Sequence, residues 1–369
     1  MPDSLLPRQD DPNLSEVQAV ARPDRRLVAN EIRRGSDRLR REAEDVYRRV
    51  TAIIGDISHN TFAKGRRLSD AEVKRLPERI GRLFEAQRSP MQQIIIQTPG
   101  RKTSTSRTWL QPHLIDNGDT RPVVHEGVQA GVIHGAEMRC LAISATRRRI
   151  VVVDRTPGFL TIQRHAFLRY ATRRRVSPEH VIATLANELL PRTGIIAAQM
   201  MIQKILEDRL GIEVGLVIPL GDGLALGNCI DITAEDEEDL AQRPYGGFIV
   251  ADEARGFQIY PLRLHALTYR DSPDRHLNGL VRTVVHEDML HDDQETVWKA
   301  LRWVEQRHER LLVDLYAAVW LHDLLGVEGD PNSGARLLNP SHYQPLLDDL
   351  VTVFTSPSGV QALTRQAAE

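Results

Sequence analysis

The chain has 369 residues, 41 % of them hydrophobic, long enough for two or three compact units and apolar enough to fill at least one sizeable core. Its 48 basic residues nearly cancel its 50 acidic ones, which excludes a uniformly basic nucleic-acid binder while leaving room for a local basic patch. Among the basic residues only Lys64, Lys74, Lys102, Lys204 and Lys299 are lysine; arginine's planar fork suits carboxylates and phosphates, although a GC-rich genome produces the same excess.

Cys140 and Cys229 lie far apart in strand-like surroundings and read as buried free thiols. No charged-then-apolar leader opens the sequence and no run of about 18 apolar residues could span a bilayer, so a cytoplasmic protein without a membrane partner is expected.

Residues 1–25, rich in Pro, Asp, Arg and Gln, read as a disordered arm. Residues 26–90 read as a helical hairpin. Ile32, Leu39, Val46 and Ile53 recur every seven residues, and Ser69-Asp-Ala-Glu72 is a capping box ahead of Val73, Leu76, Ile80 and Phe84. Pro77 is expected to kink or restart that second helix. The stripe needs a partner, either within the hairpin or, as a protein partner or second copy, through the N-terminal helices.

Residues 91–275 read as a central α+β domain with an antiparallel sheet. Strands are expected over Met138–Ala145, Ile150–Asp154 and Phe159–Gln163, then helices from His165 to about Leu210 divided at Pro178 and Pro191. Further strands follow over Ile212–Ile218, Leu224–Ile232, Gly247–Ala251 and Phe257–Leu264. Gly221-Asp-Gly223 reads as a tight hairpin turn rather than a phosphate loop, because strand, not helix, follows it. The acidic run Glu235–Asp239 reads as a solvated loop. Residues 276–369 read as a helical C-terminal region, with Val284, Val285, Trp298, Leu301, Trp303 and Val304 on one long helix.

Three places carry chemistry. In the first, His165, Arg169 and Arg173 stand four residues apart, so on a helix each step turns the side chain by only about 40° and the three form one cationic stripe that can hold a phosphate. The run His165-Ala166-x-x-Arg169-x-x-x-Arg173, followed by Ser177-Pro178-Glu179 and Val181, Ile182 and Leu185, resembles the His-Ala-x-x-Arg helices of small RelE-like toxins of the BECR superfold. The resemblance covers residues 164–185 and the order of the strands after 211. It implies metal-independent RNA cleavage without a cofactor, with His165 as acid or base and Arg169 and Arg173 clamping the phosphate. Tyr260, His265 and Tyr269 are the available second acid-base groups. The competing reading is a solvent-facing basic helix whose start His165 caps.

In the second place, Ala317-Ala-Val-Trp-Leu321-His322-Asp323-Leu-Leu-Gly326 resembles the His-Asp segment of HD-domain phosphohydrolases, which implies that His291, His322, Asp323 and Asp348 or Asp349 converge on a divalent metal. Nearby, His286-Glu287-Asp-Met-Leu-His291 has one residue too many for a zinc-protease helix. Five residues rotate the second imidazole about 140° from the first, which leaves Glu287 and His291 as a helix-surface pair.

The third place is the loop Arg101-Lys102-Thr-Ser-Thr-Ser-Arg107, whose basic and hydroxyl side chains suit substrate binding along a phosphate backbone. The leading expectation is a protein acting on nucleic acid as a metal-independent endoribonuclease, with RNA or another phosphate-bearing ligand as partner. The alternatives are a non-catalytic adaptor or nucleic-acid-associated subunit, needing an exposed apolar patch along Val46, Val50 and Ile53, and the HD-type phosphohydrolase.

Overall fold

The computed structural model describes residues 25–85, 94–96, 107–116, 121–125, 128–133, 135–154, 160–174, 176, 180–211, 214–232, 247–260, 268–269, 272–327 and 340–368. The arm at 1–24, the loop at 97–106 and the acidic run at 235–239 lie outside the described residues.

The chain is α+β. Helix α1 (Arg25–Asn60) and, after a short 3-10 turn, α2 (Asp70–Glu85) form the N-terminal helical unit. The capping box is built as the spacing requires: Ser69 donates its amide and hydroxyl to Glu72 Oε2 at 2.7 Å each, and the Glu72 amide donates to Ser69 Oγ at 3.3 Å. Pro77 does not end α2, which runs on to Glu85; Val73, Leu76 and Ile80 hold one face of it in the core, and this offsets the one lost intrahelical hydrogen bond.

The seven-residue row on α1 holds as far as Val46, after which burial passes to Val50 and Ile54 while Ile53 is half-buried. A straight helix drifts by about 20° per heptad, so a strict seven-residue row leaves the buried face after three repeats. Val46 and Val50, expected as an exposed docking patch for an adaptor, are covered by α2 and the sheet.

Among the described residues the strands, in chain order, are β1 (Ile94–Ile96), β2 (Arg107–Asp116), β3 (Arg121–His125), β4 (Val128–Ile133), β5 (Gly135–Ala145), β6 (Arg149–Asp154), β7 (Leu160–Gln163), β8 (Gly215–Leu220), β9 (Gly223–Ile232), β10 (Gly247–Asp252), β11 (Gly256–Tyr260), β12 (Thr268–Tyr269) and β13 (Ser272–His286). β3 and β4 pair separately, and the other eleven form one sheet whose main path is β11-β10-β6-β5-β7-β13-β9-β8. The pairing is antiparallel except for β7 with β13, where Gly279–Val281 run parallel to Leu160–Ile162. The antiparallel sheet expected of the central α+β domain is thus present, with this one parallel seam between strands that stand far apart in the chain.

Alternation along the strands separates two cores. On β6, Val151 faces one side, while Ile150 and Val152 face the other with Leu141, Ile143 and Ala145 of β5 and the inner faces of α1 and α2. The larger core joins β7, β8, β9 and β13 to α3 (Arg164–Arg174), α4 (Val181–Leu189), α5 (Thr193–Leu210), α6 (Asp292–Arg307), α7 (Glu309–Val327), α8 (Pro340–Thr355) and α9 (Pro357–Ala368). Val297, Leu301, Leu315, Tyr343 and Leu350 from the C-terminal helices therefore pack in the same cluster as Phe167 and Leu185.

The segment up to His286, expected to begin a helix, is the long strand β13. Its Val281, Thr283, Val284 and Val285 are β-branched and pair with β9; β7 covers the other side as far as Val281, and the Arg173 guanidinium bonds the Val284 carbonyl beyond it. The β8–β9 hairpin turns at Gly221 and Asp222 as expected, and a Cβ at Gly223 would come within 2.1 Å of the Val285 carbonyl oxygen, so only glycine lets β9 lie this close to β13.

Candidate functional site

Helix α3 buries Ala166, Phe167, Tyr170 and Ala171 and turns the positions between them outward. His165 is exposed at its start, and Arg169 Nε donates to His165 Nε2 at 3.0 Å. A guanidinium is always a donor, so this contact makes Nε2 the lone-pair nitrogen and places the ring proton on Nδ1. Arg173, one turn further on, instead donates to the backbone carbonyl of Val284 on β13. The stripe thus divides: His165 and Arg169 form a pair, while Arg173 ties the helix to the sheet.

The last residue of α3 enters a denser polar cluster that sequence reasoning missed. Arg174, with its side chain only 11 % exposed, pairs with Glu188 at the end of α4 and with Asp222 in the β8–β9 turn. Its guanidinium also lies over the Tyr170 ring, 4.7 Å from the centroid, while Tyr170 Oη donates to Glu188 Oε1 at 2.7 Å. Burial, with Glu188 adding to it, pushes the Tyr170 phenol far above its ordinary range, so it stays a donor.

His286, at the end of β13, stands between two carboxylates, with Nε2 3.5 Å from Asp222 Oδ2 and Nδ1 3.4 Å from Asp288 Oδ2. The Asp288 amide also donates to Nδ1 at 3.3 Å. Beyond Glu188, the Arg192 guanidinium bonds the Glu188 carbonyl and lies 3.5 Å from Glu305, which Arg302 also approaches at 3.3 Å. Burial lowers the affinity of Arg192 for its proton and raises the Glu305 carboxyl above its usual range, against the opposing pull of Arg192 and Arg302. No spacing in the sequence links residues 174, 188, 222, 286 and 305; the Gly-Asp-Gly turn was the one local sign that the chain doubles back here.

On the surface beside this turn, Gly221, Trp298, Lys299, Arg302, Trp303 and Gln306 line a cleft of about 330 Å³. Trp298 Nε1 donates to the Leu220 carbonyl at 3.0 Å, which locks α6 to the hairpin.

Of the groups the HD resemblance would bring together, His291 and Asp349 are described and stand apart. His291 is the exposed N-cap of α6, not a helix-surface partner of Glu287, and its amide bonds Gln294 Oε1 at 3.2 Å. Asp349 accepts from His308 at 2.7 Å at the opposite end of α6, a helix 16 residues long and therefore about 24 Å from end to end. Asp348 is engaged by Gln344. Among the described residues no group of three or more His, Cys, Asp or Glu can hold a metal ion. The side chains of His322, Asp323, Arg107, Tyr260 and Tyr269, and Arg101, Lys102 and His265 entirely, lie outside the described residues. Among the described residues no helix is long and apolar enough to cross a membrane.

Comparison with known proteins finds no matching family, no similar curated protein and no matching solved structure.

Proposed function

We propose that this protein acts on nucleic acid, and that its chemistry, where it cuts, is metal-independent cleavage of an RNA phosphodiester at His165. The observation that carries this reading is the exposed imidazole of His165 held by Arg169 Nε. A neutral imidazole is a base, so when the substrate phosphate draws the Arg169 guanidinium off Nε2, that nitrogen takes the 2′-hydroxyl proton, and Arg169 supplies charge as the phosphate becomes more negative. The neutral ring suits the base step, and the proton for the leaving 5′-oxygen has to come from a second acid or from water.

A binding-only role as a nucleic-acid-associated subunit has its own supporting observation: Arg173 is committed to Val284, so the phosphate clamp is reduced to one guanidinium. One experiment separates the two. End-labelled mixed-sequence RNA is incubated with the protein in EDTA, beside His165→Ala and Arg169→Ala. Cutting that survives EDTA and disappears with His165→Ala supports the enzyme. RNA binding without cutting by any form supports the subunit, and neither cutting nor binding overturns both.

A further inference from the structure

We infer that the cleft beside the β8–β9 turn is a binding site for a nucleoside monophosphate unit, with α6 supplying the stacking surface and the phosphate contacts. Lys299, Arg302, Trp303 and Gln306 recur at three- and four-residue intervals, so they share the face of α6 that borders the cleft. Trp303 is 48 % exposed, an unusual exposure for so large an apolar side chain, and it is not loose. The Arg307 guanidinium stacks on its ring at 4.8 Å and is itself 3.5 Å from Asp349. Trp298, its indole N–H already spent on Leu220, offers the cleft only apolar ring surface.

The charge decides which ligand this surface takes. Indole faces alone would favour a cation, but the two charged side chains lining the cleft are Lys299, which pairs with Glu295 one turn back on the exposed surface, and Arg302, and no carboxylate lines the cleft itself. A cationic ligand is repelled, and an anion carrying a flat ring satisfies both features. Arg302 shares its carboxylate partner, Glu305, with Arg192, so that acid is divided between two guanidiniums. Gln306 adds a donor and an acceptor at the rim, the pair that a base edge can use. The volume of about 330 Å³ is at the small end of ligand sites and suits one nucleotide, not a longer stretch. A free nucleotide and one unit of a single strand present the same chemistry here, base stacking beside cationic phosphate contacts.

This site does not depend on cleavage at His165, and its test does not read cleavage. Intrinsic tryptophan fluorescence and calorimetry are followed while 5′-AMP, 5′-CMP, adenosine, inorganic phosphate, phenyl phosphate and the octamer rA8 are titrated into the full chain. The expected result is binding of both nucleotides, with adenosine and phosphate each at least about tenfold weaker, since each keeps only half of the contacts. Trp303→Ala is expected to weaken AMP by about tenfold or more and Trp303→Phe by less, because every aromatic ring retains a stacking face. Lys299→Ala is expected to reduce the salt dependence of rA8 binding by about 0.7 in log–log slope, the share of one phosphate contact on a single strand. Saturable AMP binding that exceeds rA8 identifies a free nucleotide as the ligand, and the reverse identifies a strand; both support the site. Phenyl phosphate binding as tightly as AMP, or nucleotide binding unchanged by Trp303→Ala in a variant with unaltered circular dichroism, overturns it. So does the absence of any fluorescence or heat change at millimolar AMP.

Discussion

Gln199 on α5 hydrogen-bonds the backbone of Val217 through both ends of its carboxamide: Nε2 donates to the Val217 carbonyl at 2.6 Å, and Oε1 accepts from the Val217 amide at 3.0 Å. Among the described residues β8 ends the main sheet path and pairs with β9 alone, so its outward amides and carbonyls need partners from elsewhere. The amide side chain imitates the missing strand, and Gln203 extends the arrangement by donating to the Val214 carbonyl. An edge that would invite pairing with another chain is closed in this way. Both glutamines are 3 % exposed, so water cannot replace them. Replacing Gln199 with Leu keeps the volume and orphans two buried backbone groups. We expect a loss of about 2–4 kcal/mol in urea unfolding, at an unchanged m-value. A loss below about 1 kcal/mol would mean that the Val217 groups find other partners.

Arg174 is the hub of the polar cluster, paired with Glu188 and Asp222 and stacked on Tyr170. Removing either end of its pair with Glu188 leaves a poorly solvated charge behind, whereas removing both leaves only the more exposed Asp222, which still has His286 beside it. The double change Arg174→Met with Glu188→Gln is therefore expected to cost less than the sum of the single changes, by about 1–3 kcal/mol of coupling. Additive costs in denaturant unfolding would show that the two groups are solvated independently.

How far this architecture could be read in advance differs from element to element. β5, β6, β9 and the three helices of 164–210 announce themselves because each carries its own period and its own turn residues within a short window. The Ser69–Glu72 box is equally local, and its four hydrogen-bonding groups sit within four residues. The strand at β13 is hard to read because Val284 and Val285 stand close ahead of the apolar helix around Trp298, and periodicity cannot separate a short buried apolar run of a strand from one of a helix. The cluster around Arg174 was invisible for a different reason. Arg174, Glu188, Asp222 and His286 come from separate elements across more than a hundred residues, and only the folded sheet brings each within 4 Å of another. His165 and Arg169 needed nothing beyond one helical turn, and that pair was legible from spacing alone.

Glu305 gives the fold a pH dependence of calculable sign. Burial is the largest influence on it and holds its folded carboxyl above the ordinary value of 4.5, so the folded state binds more protons there than the unfolded chain does. Stability from this group is fully present below pH 4.5 and is lost as pH rises through the higher folded value. Glu305→Gln abolishes the titration while keeping the shape. The difference in unfolding free energy, wild type minus variant, is expected to fall with rising pH across that window, by no more than about 1.4 kcal/mol per pH unit. A difference that rises with pH would mean that Arg192 and Arg302 outweigh burial and hold the carboxyl below its ordinary value.

Tyr343 on α8 provides a spectroscopic check on the larger core. Burial, reinforced by the nearby Asp314 carboxylate, pushes its phenol up to about 12. Tyrosinate absorbance in an alkaline titration is expected to show one late component near that value that disappears in Tyr343→Phe, distinct from the still more displaced Tyr170. A raised folded value means that the neutral phenol stabilises the fold below the unfolded value, and that this contribution is lost as pH passes the folded one. The late component must therefore coincide with the onset of alkaline unfolding in the same titration. A Tyr343 component at the ordinary value of 10, with the fold intact, would mean that α8 leaves the ring in water.

The tautomer of His165 tests the contact on which the proposed chemistry rests. Free imidazole in water favours the proton on Nε2, whereas a guanidinium donating into Nε2 forces it to Nδ1. Long-range nitrogen–proton correlation spectra above the titration of the ring are expected to show the Nδ1–H form of His165 in the wild type. Arg169→Ala should return that one residue to the Nε2–H form and leave His286 unchanged, since its contacts to Asp222 and Asp288 lie at the far end of β13. The same variant is then expected to lose RNA cleavage more severely than Arg173→Ala, whose guanidinium is engaged by Val284 and acts on the anchoring of α3. If Arg173→Ala abolishes cleavage while its unfolding free energy is unchanged, the phosphate is held by the whole three-residue stripe, and Arg173 leaves Val284 when the substrate arrives.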